Sequence, residues 1–229
     1  MARIRGRKPK TTSGSYLRLF DNEGLGELIS KIQGTVIANG AELESIINKL
    51  VKEDGRVVNN FDEFVQKDIV PDEVYLIPKN VLKKSKVIDF SEQEPDFVVL
   101  KAQSRKRHCH IIELKDGDNF DTKKALSEKV SLQKFENYIS TKIQYTTSIH
   151  VCCFNQSDKK KTVSGFKNRI NSNEAMTGEE FCTLLQINYM NIVNLRKADA
   201  IDNLEYFVEA ILKLTIVRDK IIETLKKEN

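Results

Sequence analysis

Apolar residues recur at helical spacing near both ends of the chain and at strand spacing in its middle. From Gly24 to Ile37, residues Leu25, Leu28, Ile29 and Ile32 fall three and four apart and predict a helix. A second helix is expected after Gly40, with Leu43, Ile46, Ile47 and Leu50 on its apolar stripe. The middle reads as a meander of strands through Val74–Ile77, Val87–Phe90, the stretch from Asp96 through Leu100, and His108–Lys115. The polar, basic run Gln103-Ser104-Arg105-Lys106-Arg107 is the expected turn between the last two. A helix should start near Thr122 and carry Ala125, Val130, Leu132, Phe135, Tyr138 and Ile139, followed by an apolar strand from Ser148 to Phe154. Asp118 and Asp121 stand at the start of that helix, where its dipole favours negative charge.

Towards the C-terminus, Thr177 and Glu180 form a capping-box pattern before Phe181, Leu184 and Leu185. One long helix is expected from Asn203 to Lys226, with Leu204, Val208, Ile211, Leu214, Val217, Ile221 and Leu225 on a wide stripe. The stripe suits packing on the sheet somewhat better than a dimer surface.

Chemistry concentrates on the central hairpin. Asp96 opens one strand and Glu113-Leu114-Lys115 closes the next. Side chains alternate along a strand, so Glu113 and Lys115 share a face with Ile111 and Cys109, and an antiparallel neighbour brings Asp96 beside them. Two carboxylates are hard oxygen ligands that suit Mg²⁺. Such an ion lowers the pKa of a water and stabilises charge developing on a phosphate, and Lys115 adds a further positive charge there. An exposed Glu/Lys pair on a sheet face would give the same letters as E-x-K. The Asp96 strand, the hairpin spacing and the helix that follows favour the chemical reading.

Pro95, Asp96, Glu113 and Lys115 resemble the PD-(D/E)xK nuclease superfamily, and within it the type II restriction endonucleases. Asp116 to Lys124 looks like an extended form of that motif. The resemblance implies an α/β fold with a restriction-endonuclease-like core, a central mixed sheet flanked by helices, here with helical additions at both ends. It implies Mg²⁺-dependent, sequence-specific hydrolysis of double-stranded DNA that leaves 5′-phosphate and 3′-hydroxyl ends. Asp96 and Glu113 would be the metal ligands, with the Leu114 carbonyl beside them, and Lys115 would position or activate the water. Members of the fold often add an acid from a helix near the N-terminus, for which Glu42 and Glu44 are the candidates. Asp116 and Asp118 are outside candidates for a second ion. A homodimer and a cognate DNA methyltransferase in the same system, without direct contact, are the further implications.

Charge adds a second theme. The formal net charge is +4, yet residues 1–18 contribute +6 through Arg3, Arg5, Arg7, Lys8, Lys10 and Arg18, which leaves the remainder at −2. A basic arm on an acidic body suits a polyanionic partner. Arg5-Gly6-Arg7-Lys8-Pro9-Lys10 resembles an AT-hook, except that Lys8 stands where the hook has proline, and a disordered solubilising tail explains the same letters. Lys159, Lys160, Lys161, Lys167 and Arg169 form another basic stretch around Gly165, whose lack of a side chain permits close backbone approach. Lys79, Lys83, Lys84 and Lys86 form a third, and Arg105, Lys106 and Arg107 tip the hairpin. Base readout is sought first among the polar and basic residues of 155–173.

The remaining composition narrows the field. Forty per cent apolar and 31% charged residues describe an ordinary soluble protein. No apolar run reaches membrane-spanning length and the basic start does not read as a signal peptide, so a cytoplasmic location is expected. Cys109, Cys152, Cys153 and Cys182 lack C-x-x-C spacing and read as reduced core thiols. His108 and His110 share the strand face opposite Glu113 and could bind a metal, although two histidines without further ligands read better as half-exposed strand residues. The expected organisation is a flexible arm over 1–18 and a single domain over 19–229, with a catalytic core at about 70–156 and a helical part at about 177–226. The competing functions are a structure-selective or repair nuclease with the same core, a DNA-binding protein without catalysis, and a structural helical partner.

Overall fold

The structure, a computed structural model, describes residues 3–9, 15–66, 73–88, 94–103 and 106–228. Helices α1 (Ser15–Phe20), α2 (Glu23–Glu53) and α3 (Phe61–Phe64) precede strand β1 (Val74–Pro78) and the short α4 (Lys79–Leu82). The hairpin strands β2 (Phe97–Gln103) and β3 (Lys106–Lys115) follow, then α5 (Thr122–Ser140) and β4 (Thr146–Cys153). The chain closes with α6 (Lys159–Gly165), β5 (Ala175–Thr177), α7 (Gly178–Leu184), α8 (Tyr189–Lys213) and α9 (Thr215–Glu228).

The five strands lie in sequence order, antiparallel from β1 to β3 and parallel from β3 to β5. A parallel step needs a crossover, and α5 supplies it between β3 and β4. Pairing of β2 with β3 sets Val98 against Ile111 and Leu100 against Cys109 and runs out to Gln103 against Lys106. Ladder pairing therefore absorbs most of the expected turn, and Ser104 and Arg105 lie outside the described residues. One sheet face, with Val98, Leu100, Cys109, Ile111, Val151 and Cys153, buries against Leu132, Phe135 and Ile139 of α5. The result is a mixed sheet flanked by helices, as the resemblance implies.

Several boundaries depart from the pattern-based reading. The two N-terminal helices are one, because Gly34 and Gly40 sit inside α2 without breaking it. No strand forms at Val87 and Ile88: their amides bond to Asp62 Oδ1 (3.3 Å) and Ser85 Oγ (2.9 Å) instead of a neighbouring strand, while Asp89 and Phe90 lie outside the described residues. β5 was not foreseen, since three residues are too few for a periodic signal. The basic stretch at 159 forms a helix, with Asp158 accepting from the Lys160 amide at its N-cap. The long C-terminal helix divides at Leu214, whose side chain packs where a Cβ on Gly24 would approach it to 2.6 Å. Its stripe is not core: Leu204 is 65% exposed and Ile216 62%.

The chain clusters into two units, one from Leu43 to Tyr189 and the other joining Met1–Glu42 to Met190–Asn229. The first holds the whole sheet. In the second, Arg3 pairs with Asp199 at 2.7 Å and the Ile4 amide donates to Asn203 Oδ1 at 2.7 Å, tying the N-terminal segment to α8.

Gly165 is required for a close approach, and its neighbour is the chain's own Asp118. A Cβ there would fall on the Asp118 carbonyl oxygen, next to the bond from the Phe120 amide to the Gly165 carbonyl (3.2 Å). Gly165→Ala should therefore destabilise the protein by about 1–3 kcal/mol, the usual cost of overpacking, read as a lower denaturation midpoint.

Candidate active site

The hairpin register builds the site. Phe97 pairs with Ile112, so Asp96 and Glu113 continue the ladder side by side, and the Leu114 amide donates to Asp96 Oδ2 at 2.9 Å. Glu113 is only 6% exposed and Asp96 is half-buried. Burial raises the pKa of Glu113 to about 7, with the negative charge of Asp96 pushing the same way. Asp96 is raised as well, first by burial and then by Glu44. Two carboxylates thus share a dry corner, where each disfavours ionisation of the other.

Lys115 offsets part of that repulsion. Its Nζ donates to Glu113 Oε1 and to Glu128 Oε1, both at 2.8 Å. Burial works against the ammonium, but Glu113 and Glu128 outweigh it and hold the pKa above that of a free lysine. Lys115 is therefore a fixed cation at any physiological pH, held rather than free to swing. Lys79, at the start of α4, adds a second positive charge, with Nζ 3.8 Å from Asp96 Oδ1.

Beyond Asp96, Glu113 and Lys115, the sequence-predicted acids divide. Glu44 faces the site: burial raises its pKa, and Lys79, Glu113 and Lys115 all act on it. Glu42 belongs with Arg3 in the other unit. Asp116 accepts from Asn155 Nδ2 at 2.8 Å through both its backbone carbonyl and Oδ1, and Asp118 accepts from Gln156 Nε2. Those bonds hold both to the segment that follows β4. Among the described residues no three His, Cys, Asp or Glu side chains form a ready metal-holding group. Asp96 and Glu113 meet at this corner, Glu128 shares Lys115 with Glu113, and Glu44 is acted on by Glu113 and Lys115.

Glu128 escaped the sequence reading, and Lys79, read there as part of a basic stretch, instead stands beside Asp96. Glu128 lies three residues after Ala125 and four before Leu132, both buried, so it is a carboxylate on the apolar stripe of α5. A charge in that position needs a partner, and that was its signal. Its second oxygen, Oε2, is buried without a hydrogen-bond partner. The group lines a cleft of about 150 Å³ together with Pro95, Glu113, Ser127 and Ser131.

The basic candidates are scattered. Lys159 pairs with Glu180 at 2.8 Å and Lys167 donates to Asn119 Oδ1 at 2.8 Å, while Lys160, Lys161 and Arg169 are exposed. In the other unit Arg5 lies 3.3 Å from Asp202 and over the Tyr206 ring, Arg7 donates to the Gly34 carbonyl at 2.9 Å, and Lys8 is exposed. All four cysteines are free and buried, as reduced core thiols should be. No helix among the described residues is long and apolar enough to cross a membrane.

A hairpin that sets an acid against E-x-K, on a mixed sheet with a crossover helix behind it, is the arrangement that defines a PD-(D/E)xK nuclease. Comparison with known proteins narrows the class: the chain is 38% identical over 218 residues to the type II restriction enzyme HhaII of Haemophilus parahaemolyticus, across 93% of this chain and 94% of the relative. The chain belongs to that family of restriction enzymes. No protein-family model and no solved structure matches it.

The raised pKa of Glu113 has a measurable sign. Between the ordinary value of 4.5 and about 7, the folded protein keeps a proton that the unfolded chain has released. Stability then falls as pH rises through that window and levels off above it. In metal-free protein, Glu113→Gln should flatten this slope and raise the melting temperature above wild type at pH 8, measured by calorimetry in EDTA.

Proposed function

We propose that the protein cuts double-stranded DNA at a specific sequence, using Mg²⁺ held at Asp96 and Glu113. The observation that carries this reading is the fixed Lys115 ammonium beside the two buried carboxylates. The donor chemistry fits the ion: both carboxylates are hard oxygen ligands with pKa values raised by burial and mutual repulsion, a conflict that a divalent cation relieves. The Leu114 carbonyl would be a third oxygen, with Glu44 and Glu128 as further acids beside the pair. Bound there, Mg²⁺ would supply positive charge to the attacked phosphate and lower the pKa of the attacking water.

The chain's own groups do the rest. Lys115, braced by Glu113 and Glu128, would hold the water and stabilise the negative charge that builds on the phosphate. Water oxygen bonds to phosphorus as the P–O3′ bond breaks, and the departing 3′ oxygen takes up a proton, leaving 5′-phosphate and 3′-hydroxyl ends. Exposed Lys160, Lys161 and Arg169 on and after α6 would contact phosphates, with Lys159 and Lys167 available if their surface pairs exchange. Arg5, Arg7 and Lys8 would add a contribution that weakens with salt. A cognate DNA methyltransferase would protect the host's own sites without direct contact.

The expected assay is direct. Incubated with phage DNA, the protein should yield discrete fragments with Mg²⁺ and none with EDTA, and Lys115→Ala should cut roughly 10²–10⁴-fold more slowly. Intact DNA in every lane, with the protein still retarding it, would point to a binding protein instead.

A homodimer completes the reading. Leu204, Val208 and Leu212 recur four residues apart on α8 and are exposed, and Ile221, Ile222 and Leu225 on α9 are exposed too. A second copy is the occupant that two-strand cleavage of a symmetric site favours. Wild type should sediment at twice the chain mass, and a Leu204→Glu, Val208→Glu double variant at the mass of one chain.

A further inference from the structure

All three histidines of the chain meet at one place, on the sheet face opposite Glu113 and Lys115. His108 and His110 share that face of β3. His150 stands on β4, where the parallel register sets His110 against Ser148 and Ile112 against His150. Ring nitrogens from all three converge on a single atom, Ser148 Oγ: His108 Nε2 at 2.9 Å, His150 Nε2 at 2.8 Å and His110 Nδ1 at 3.4 Å. The last two nitrogens are also 3.1 Å from each other.

A hydroxyl sits at the centre of this cluster, and Ser148 Oγ can donate to one ring nitrogen and accept from two. A neutral imidazole nitrogen carries either one proton or one lone pair. His150 Nε2 lies within reach of both Ser148 Oγ and His110 Nδ1 and can satisfy one of them.

The rings are nevertheless in the form that binds metal. Burial drives the pKa of His110 down to about 3, with His108, His150 and Lys101 pushing the same way. Burial also takes His150 to about 4, where His108 and Lys159 add to the fall and the Asn173 backbone and Glu180 oppose it. His108 is lowered by burial as well. At neutral pH all three are uncharged and keep a lone pair.

The spacing fits a tetrahedral ion. Zinc–nitrogen bonds of about 2.0–2.1 Å put two ligand nitrogens roughly 3.3 Å apart, close to the 3.1 Å between His110 and His150. All three rings are half-exposed, which leaves a path for entry. Imidazole suits zinc and its neighbours in the transition series, whereas Mg²⁺ takes oxygen, so this place does not compete for the catalytic ion.

We propose that His108, His110 and His150 form a three-histidine site for a transition-metal cation of the Zn²⁺ type, separate from the nuclease centre. Ser148 Oγ stands where the nitrogens meet, and no ready-made metal group is present among the described residues. Rotation of that hydroxyl about its Cα–Cβ bond clears the position.

The test uses full-length, metal-stripped protein, titrated with Zn²⁺ by calorimetry at pH 7 in excess Mg²⁺, and with Co²⁺ by visible absorption. Wild type and Lys115→Ala should each bind one equivalent, give the intense visible bands of tetrahedral Co²⁺ and melt at a higher temperature with Zn²⁺. His110→Ala and His150→Ala should lose all three signatures, whereas Ser148→Ala, freed of the competing hydroxyl, should keep them. If either of these histidine variants fails to fold, His108→Ala carries the same comparison. Equal binding by wild type and the histidine variants, or no binding by folded wild type, would overturn the proposal. Loss of the signatures in Lys115→Ala would do so too, by placing the ion at the nuclease centre.

Discussion

The register between β2 and β3 is the constraint on which the rest of the site depends. It sets Asp96 beside Glu113 at the end of a buried ladder, where both carboxylates lose water and repel each other. Neither charge would be stable there alone. Lys115, two residues after Glu113 on the same face, is the nearest compensation the strand itself can offer, and Glu128 reaches across from α5 to hold it. Lys79 approaches Asp96 from the other side through the turn after β1. The residual excess of acid leaves the pKa values of both carboxylates raised. A one-residue slip of the hairpin would send Glu113 and Lys115 to the opposite face and dissolve the arrangement.

The surrounding elements keep that register from slipping. Leu132, Phe135 and Ile139 of α5 cover the face on which Glu113 and Lys115 lie, so the crossover helix both seals the core and delivers Glu128. β4 locks β3 from the far side through Val151 and Cys153. The contact of Gly165 with the Asp118 carbonyl then ties α6, with its exposed lysines, to the loop that leaves β3. Alternation along β3 and β4 places the histidines on the face opposite Glu113 and Lys115.

Strand alternation, helical spacing and the E-x-K letters were legible because they are local. Asp96, Glu113 and Lys115 could be named from them, as could the α5 start and the Thr177–Glu180 capping box. Positions decided by competition between local and long-range bonding were not legible. Val87 and Ile88 have strand-like side chains, but Asp62 and Ser85 take their amides. Gly34 and Gly40 look like helix ends, but α2 continues through both. The stripe of α8 and α9 has the period of a buried face, and only the packed chain shows that it stays open.

By itself, the sequence determined which residue types occupy the hairpin and on which face each must point, since that follows from a two-residue period. Tertiary structure alone decided which distant groups meet them. Glu128 reaches Lys115 because the crossover helix packs where it does, and Glu44 rather than Glu42 faces the acids because α2 presents that side. His150 joins His108 and His110 because β4 pairs parallel to β3 in one register among several. Partners separated by thirteen to seventy residues are chosen by how helices and sheet share one core, which no local period encodes.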